Sequence, residues 1–186
     1  MKIVAIIPAR GGSKRLPRKN IYNIWGQPMI YWSIKAAKES RYIDDVYVTS
    51  EDSEILKISK KFKAKTIKRP LELANDITFK QFAITHALRQ LKSSYDIVVS
   101  LQANSPEVNS NDIDAAITKF IKYDRNELFT VDNNLIQHGA FRIWKYEYVF
   151  QEALSTKSGV YIANYIDVHT IEDIKKLERI KKLDKK

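Results

Sequence analysis

The chain has 186 residues, 44% of them hydrophobic, enough for one sizeable core and a single domain by default. It contains no cysteine, which excludes a disulfide scaffold, thiolate metal sites and a cysteine nucleophile together. Thirty-two Lys and Arg against twenty-two acids give a formal charge of +10, much of it in "KKLERIKKLDKK" (175–186), a helix end that reads as a solvated face.

In chain order, "KIVAIIPA" (2–9) is a β-branched run that predicts a strand buried on both faces. After a basic loop, "WGQPMIYWSIKAAKES" (25–40) places Pro28 at a helix start, with Ile30, Ile34 and Ala37 at helical spacing. "DDVYVTS" (44–50) predicts a second strand, with Ser53 capping the helix "SEILKISKKF", and "AKTIKRP" (64–70) a third. "DITFKQFAITHALRQL" (76–91) predicts a long helix with Ile77, Phe82, Ile84, Ala87, Leu88 and Leu91 on one side. "DIVVSLQ" (96–102) is a fourth strand, followed by the helix "SNDIDAAITKFIKY" (110–123). Strands follow at "ELFTVDN", "FRIWK" and "GVYIAN", then a short extended piece, "YIDV" (165–168). Thr170 caps a closing helix whose Ile171, Ile174, Leu177 and Ile180 recur every third residue.

Strands alternating with helices predict an α/β fold: an open, doubly wound, mostly parallel sheet with helices on both faces. One domain is expected over 1–181, with 182–186 a disordered basic tail. Ligands of such sheets bind beyond the carboxyl ends of the strands, which singles out the loops at 8–20, 49–52, 68–78, 102–109 and 167–170. The apolar run after Met1 is too short for a signal peptide, and no stretch is long enough to span a bilayer. A cytoplasmic protein with no membrane partner is expected. No helix-turn-helix, zinc-finger or aromatic RNP pattern accompanies the charge, so nucleic acid is not an expected partner.

The chemistry concentrates in "PARGGSKRLPRKN" (8–20), which holds five cations and no acid. Gly11 and Gly12 let the backbone turn tightly and bring its N–H groups to an anion. Arg10, Lys14, Arg15, Arg18 and Lys19 can add charge-assisted hydrogen bonds, enough to match a nucleoside triphosphate. Neither G-x-x-x-x-G-K-[ST] nor G-x-G-x-x-G is present. The loop's place directly after the first buried strand marks it as a ligand cradle rather than a solvated turn.

"IIPARGGSKRLPRKNI", "GQPMIYWSIKAAKES" and "IDDVYVTSED" together resemble the opening of the acylneuraminate cytidylyltransferases, or CMP-sialic acid synthetases. The resemblance continues in order through "KRPLELANDIT", "LQANSP", "SGVYIAN" and "YIDVHTIEDIKKLE", and so covers most of the chain. It implies a nucleotide-diphospho-sugar transferase-like fold and transfer of CMP from CTP to an acidic nonulosonic sugar, with release of pyrophosphate, for cell-surface glycans. By the same resemblance Arg10, Gly11, Gly12, Ser13, Lys14, Lys19, Asn20 and Arg69 bind nucleotide, Gln102 and Asn104 meet the sugar, and Lys19, Arg10 and Asp167 carry catalysis. It further implies Mg2+, with Mn2+ an alternative, at Asp167 and His169, and a homodimer.

The chain also departs from the family pattern. The family's paired acids read Asp167 and His169 here, and its "LQPTSPLR" has become Ala103, Asn104, Glu107 and Val108 at the altered positions. The segment between "TVDNN" and "SGVYIAN", where the family carries its dimer extension, is short, which leaves recognition of the sugar carboxylate unassigned. His138, Arg142 and Tyr146 lie there with no assigned role, and His86 reads as an ordinary helical histidine. The alternatives are a relative using another nucleotide or sugar and a degenerate, non-catalytic nucleotide-binding domain.

Overall fold

A strand with apolar residues on both faces needs helices above and below it, and the computed structural model, which describes residues 1–75 and 77–183, supplies both. Strand β1 (Ile3–Pro8) lies between β4 (Asp45–Ser50) and β6 (Ile97–Leu101), parallel to each. Strand β5 (Lys65–Lys68) adds in parallel beyond β4. On the other side β8 (Gln137–Lys145) runs antiparallel to β6 and to β7 (Glu127–Val131), and β9 (Ser158–Ile162) closes the edge parallel to β7. The order is β5-β4-β1-β6-β8-β7-β9, the expected mostly parallel sheet.

Alternation along β1 divides the core. Ile3, Ala5 and Ile7 pack in the cluster with α1 (Met29–Glu39), α2 (Ser53–Lys61) and α4 (Ser110–Lys122), while Val4 and Ile6 meet Ile84, Ala87 and Leu88 of α3 (Lys80–Arg89). Each fully buried aliphatic side chain contributes about 1.5–3 kcal/mol. A third cluster joins Leu16 of the basic loop, Ile24 of the small hairpin β2 (Asn23–Ile24) and β3 (Gln27–Pro28), Met29, Val168, and Ile174 and Leu177 of α5 (Ile171–Leu183).

Several elements differ from expectation. Helix α3 starts at Lys80, because Asn75 Oδ1 accepts the Ile77 and Thr78 N–H groups and a 3₁₀ turn occupies Leu71–Ala74. Ile77, 89% exposed, therefore leaves the expected apolar stripe; Asp76 lies outside the described residues. Asp52, not Ser53, caps α2, accepting from the Glu54 and Ile55 N–H groups. At α5 the capping runs backwards: Asp173 accepts from the Thr170 N–H and hydroxyl. That helix continues to Leu183, past the expected boundary at 181, and the rest of the expected tail (184–186) lies outside the described residues. Among the described residues no helix is long and apolar enough to cross a membrane.

Candidate active site

The basic loop is held in shape from below. Ala9 N–H donates to Thr49 C=O at 3.0 Å, carrying the β1–β4 pairing one step further. The Gly11 N–H then donates to Glu51 Oε1 at 2.6 Å. A Cβ on Gly11 would sit 2.3 Å from Asp52 Oδ2, so this close approach requires glycine; Gly12 meets no such obstacle. The buried Asn20 donates its amide to Arg10 C=O at 2.8 Å and closes the loop on itself. Asn20 thereby has a scaffolding function beside any contact with nucleotide.

Arg69 lies under this turn, 5% exposed, with Nε and Nη2 at 3.1 and 2.9 Å from Glu51 Oε2. One carboxylate thus ties Gly11 to Arg69. Burial pulls the Arg69 pKa down and Glu51 opposes the shift. Of the five loop cations, Arg18 is turned away onto Asp52 and Glu54 at the start of α2. Ser13 is half-buried and Lys14 exposed along the loop.

Across from the loop, the Asp167 carboxylate accepts the Ser105 hydroxyl and, at 3.3 Å, the Gly139 N–H. Half-buried Lys19 lies in the field of this acid. Its pKa is lowered, chiefly by burial and then by Arg15 and Arg10, with Asp167 and Asp173 opposing. The structure therefore brings Arg10, Lys19 and Asp167 into one electrostatic cluster.

His169, expected as a second metal ligand, is met by Arg15. Arg15 Nη2 lies 3.1 Å from His169 Nδ1, and a guanidinium can only donate, so that lone pair is taken and a neutral ring carries its proton on Nε2. Burial, then Lys19 and Arg15, hold the His169 pKa below its usual value. Among the described residues no group of three or more His, Cys, Asp or Glu side chains is placed to hold a metal ion.

On the acceptor side, Gln102 follows β6, its N–H donating to Ala140 C=O at 2.9 Å and its own C=O accepting from Ser33 at 2.6 Å. Its side chain lies over Gly139: a Cβ there would be 1.6 Å from Gln102 Nε2 and 3.3 Å from Lys80 Nζ. Asn104 spends one amide hydrogen on Val168 C=O at 2.9 Å, while Val168 N–H returns to Asn104 C=O at 2.8 Å, so the residue ties the 165–168 segment to the loop after β6. Glu107 accepts the Ile166 N–H at 2.7 Å, so its charge also serves the 165–168 segment. His138 lies 2.7 Å from Ala163 C=O, and Arg142 pairs with the buried Glu127; both hold the β7–β8–β9 edge.

Lys80 and Gly139 are the two residues that sequence reasoning missed. Lys80 was hidden in a stretch that reads as unbroken amphipathic helix, where a lysine signals only a wet face. For Gly139 no spacing announces a glycine over which a side chain 37 positions away is laid.

Residues 4–182 match the family model described as cytidylyltransferase. The chain is 40% identical over 133 residues to the pseudaminic acid cytidylyltransferase of Campylobacter jejuni subsp. jejuni serotype O:23/36 (strain 81-176), covering 69% of this chain and 57% of that protein. It is 34% identical over 129 residues to N-acylneuraminate cytidylyltransferase A of Danio rerio, covering 69% of this chain and 30% of that one. The chain thus spans little more than half the length of the first relative and less of the second. Among solved structures, a CMP:2-keto-3-deoxy-manno-octonic acid synthetase complexed with CTP shares the fold with a TM-score of 0.82 at 16% identity, covering 99% of this chain and 100% of that one. The 4-diphosphocytidyl-2C-methyl-D-erythritol synthase of Anaerococcus prevotii DSM 20548 does so at 0.68 and 15%, over 97% and 96% of the two chains. With the family model matched along nearly its whole length and the basic loop, Gln102 and Asp167 gathered at one end of the sheet, the chain belongs to the cytidylyltransferase family.

Proposed function

We propose that the chain transfers CMP from CTP to the anomeric hydroxyl of an acidic nonulosonic sugar, releasing pyrophosphate. The observation that carries this reading is the convergence of Lys19 and Arg10 with Asp167 on one side and Gln102 over Gly139 on the other. The Gly11–Gly12 turn, Ser13, Lys14, Asn20 and Arg10 surround the triphosphate, with Arg69 fixing the turn through Glu51. The sugar oxygen bonds to the α-phosphorus as the bridge to the β-phosphate breaks, and pyrophosphate leaves with that electron pair. Such a step needs positioning and charge neutralisation more than covalent help. Lys19 stabilises the charge at the α-phosphate, and the hydroxyl proton passes to the Asp167 carboxylate or to water. Two copies of the chain, working in the cytoplasm, complete the reading.

A divalent cation fits here as a one-carboxylate site, in which Asp167, phosphate oxygens and water would hold Mg2+ or Mn2+ and spread the phosphate charge. His169→Asp adds a second acid two residues from Asp167. Half-maximal activity is then expected at severalfold lower Mg2+; an unchanged Mg2+ titration would remove the 167–169 segment from the metal site.

Gly139→Ala tests the acceptor side. The new Cβ displaces the Gln102 amide, so the KM for the sugar should rise about tenfold while that for CTP stays within twofold. Equal KM values for the sugar would take Gln102 out of the pocket.

The reading as a whole is tested by pyrophosphate release with each of four ribonucleotides, a panel of acidic sugars, and Mg2+ or Mn2+. Release is expected only with CTP and an acidic sugar. The capture of His169 by Arg15 favours one second reading, a nucleotide-binding relative without turnover. CTP binding with no release under any condition would establish it.

A further inference from the structure

Lys80 is the first residue of α3, on an element that faces the side of the sheet opposite α1 and α2. The residue is exposed, and its ammonium lies 3.3 Å from where a Cβ on Gly139 would stand, with the Gln102 amide nitrogen 1.6 Å from that same position. Loss of solvation at the ammonium lowers its pKa, with Asp167 opposing and Lys19 adding to the shift. The Gly139 N–H meets the Asp167 carboxylate at 3.3 Å, so the Lys80 ammonium, the Gln102 amide and Asp167 all border one glycine, and a cation there can meet an anionic group of the acceptor.

The chemistry of the acceptor identifies that partner. In a nonulosonic acid the carboxylate is bonded to the anomeric carbon, the same atom that carries the attacking hydroxyl. With the hydroxyl between Lys19 and Asp167, the carboxylate, held on the same carbon, must lie directly beside that position. The triphosphate has its own cations in the loop at 8–20, and none of the residues assigned so far meets the carboxylate. We propose that the Lys80 ammonium, beside the Gln102 amide, binds the carboxylate of the acidic sugar and so selects 2-keto acids over neutral sugars. Lys80 then does from within this chain what the shortened 133–157 segment leaves undone. This rests on the acidic-sugar reading above.

The test is calorimetry with CTP saturating and a chelator present to prevent turnover. The probes are pseudaminate, an N-acylneuraminate and the methyl ester of each, added to the parent, Lys80→Met and Lys80→Arg. Lys80→Met should weaken binding of both acids about tenfold to a hundredfold and leave the esters, already weak, unchanged. Lys80→Arg should recover most of the loss. CTP affinity, measured first, should be the same in all three and shows that each is folded. Acid binding equal to the parent's in Lys80→Met, or equal losses for acid and ester, would overturn the assignment, and a loss confined to CTP would place Lys80 on the nucleotide instead. A parent that binds CTP but neither acid would sink the acidic-sugar reading itself, and the role of Lys80 with it.

Discussion

Arg69→Met is expected to cost about 3–5 kcal/mol of folding stability, read as a fall in the urea midpoint at unchanged slope. The Arg69 side chain is 4% exposed and that of Glu51 12%, so the pair has little water to fall back on. Methionine fills the space of the arginine stem but leaves the Glu51 carboxylate, among the described residues, with the Gly11 N–H as its hydrogen-bond partner. The penalty comes mostly from that stranded charge, which gives the experiment an internal control. Glu51→Gln in the same chain should restore much of the loss, since two neutral groups then replace a broken ion pair. CTP affinity should fall in Arg69→Met as the Gly11 turn loosens. A stability change under 1 kcal/mol would show that the pair behaves like a surface ion pair, and that the turn is held by something else.

Lys19→Ala is expected to lower kcat by about a hundredfold to a thousandfold while CTP affinity changes little, because its charge is assigned to the reacting α-phosphate rather than to ground-state binding. A loss expressed wholly in CTP affinity would move Lys19 from the reaction centre to the triphosphate. The pH profile supplies a second readout. Burial, Arg15 and Arg10 all disfavour the charged form and lower the folded pKa below the ordinary 10.5. Activity that needs the ammonium is present below this pKa and lost as pH rises through it. The alkaline limb should therefore fall earlier than for an ordinary lysine and be absent from the residual rate of Lys19→Ala.

How much of this was legible in the sequence depended on the range of the interaction. The strand Ile3–Pro8 could be read because burial on both faces leaves an unbroken apolar run, and the glycine-rich loop after it because charge and glycine are themselves local signals. The start of α3 was not, since a helix-compatible composition runs through 76–79 while the Asn75 side chain captures the first N–H donors. The place of Asn104 in a motif points to a sugar contact, but its pairing with Val168, 64 positions on, has no trace in local pattern. Much the same holds for His169, whose chemistry is decided by Arg15 from the other end of the chain.

That last separation has a consequence for biosynthesis. Arg15 and His169 are 154 positions apart, and the cluster of Leu16, Ile24, Met29, Val168, Ile174 and Leu177 bridges the same two regions. At ordinary elongation rates a ribosome needs roughly 8–30 s to cover that distance. Throughout that time the cationic loop has been made but lacks the apolar wall that seats Leu16. A nascent chain therefore carries the loop's charge without its geometry until residues 168–177 have been made.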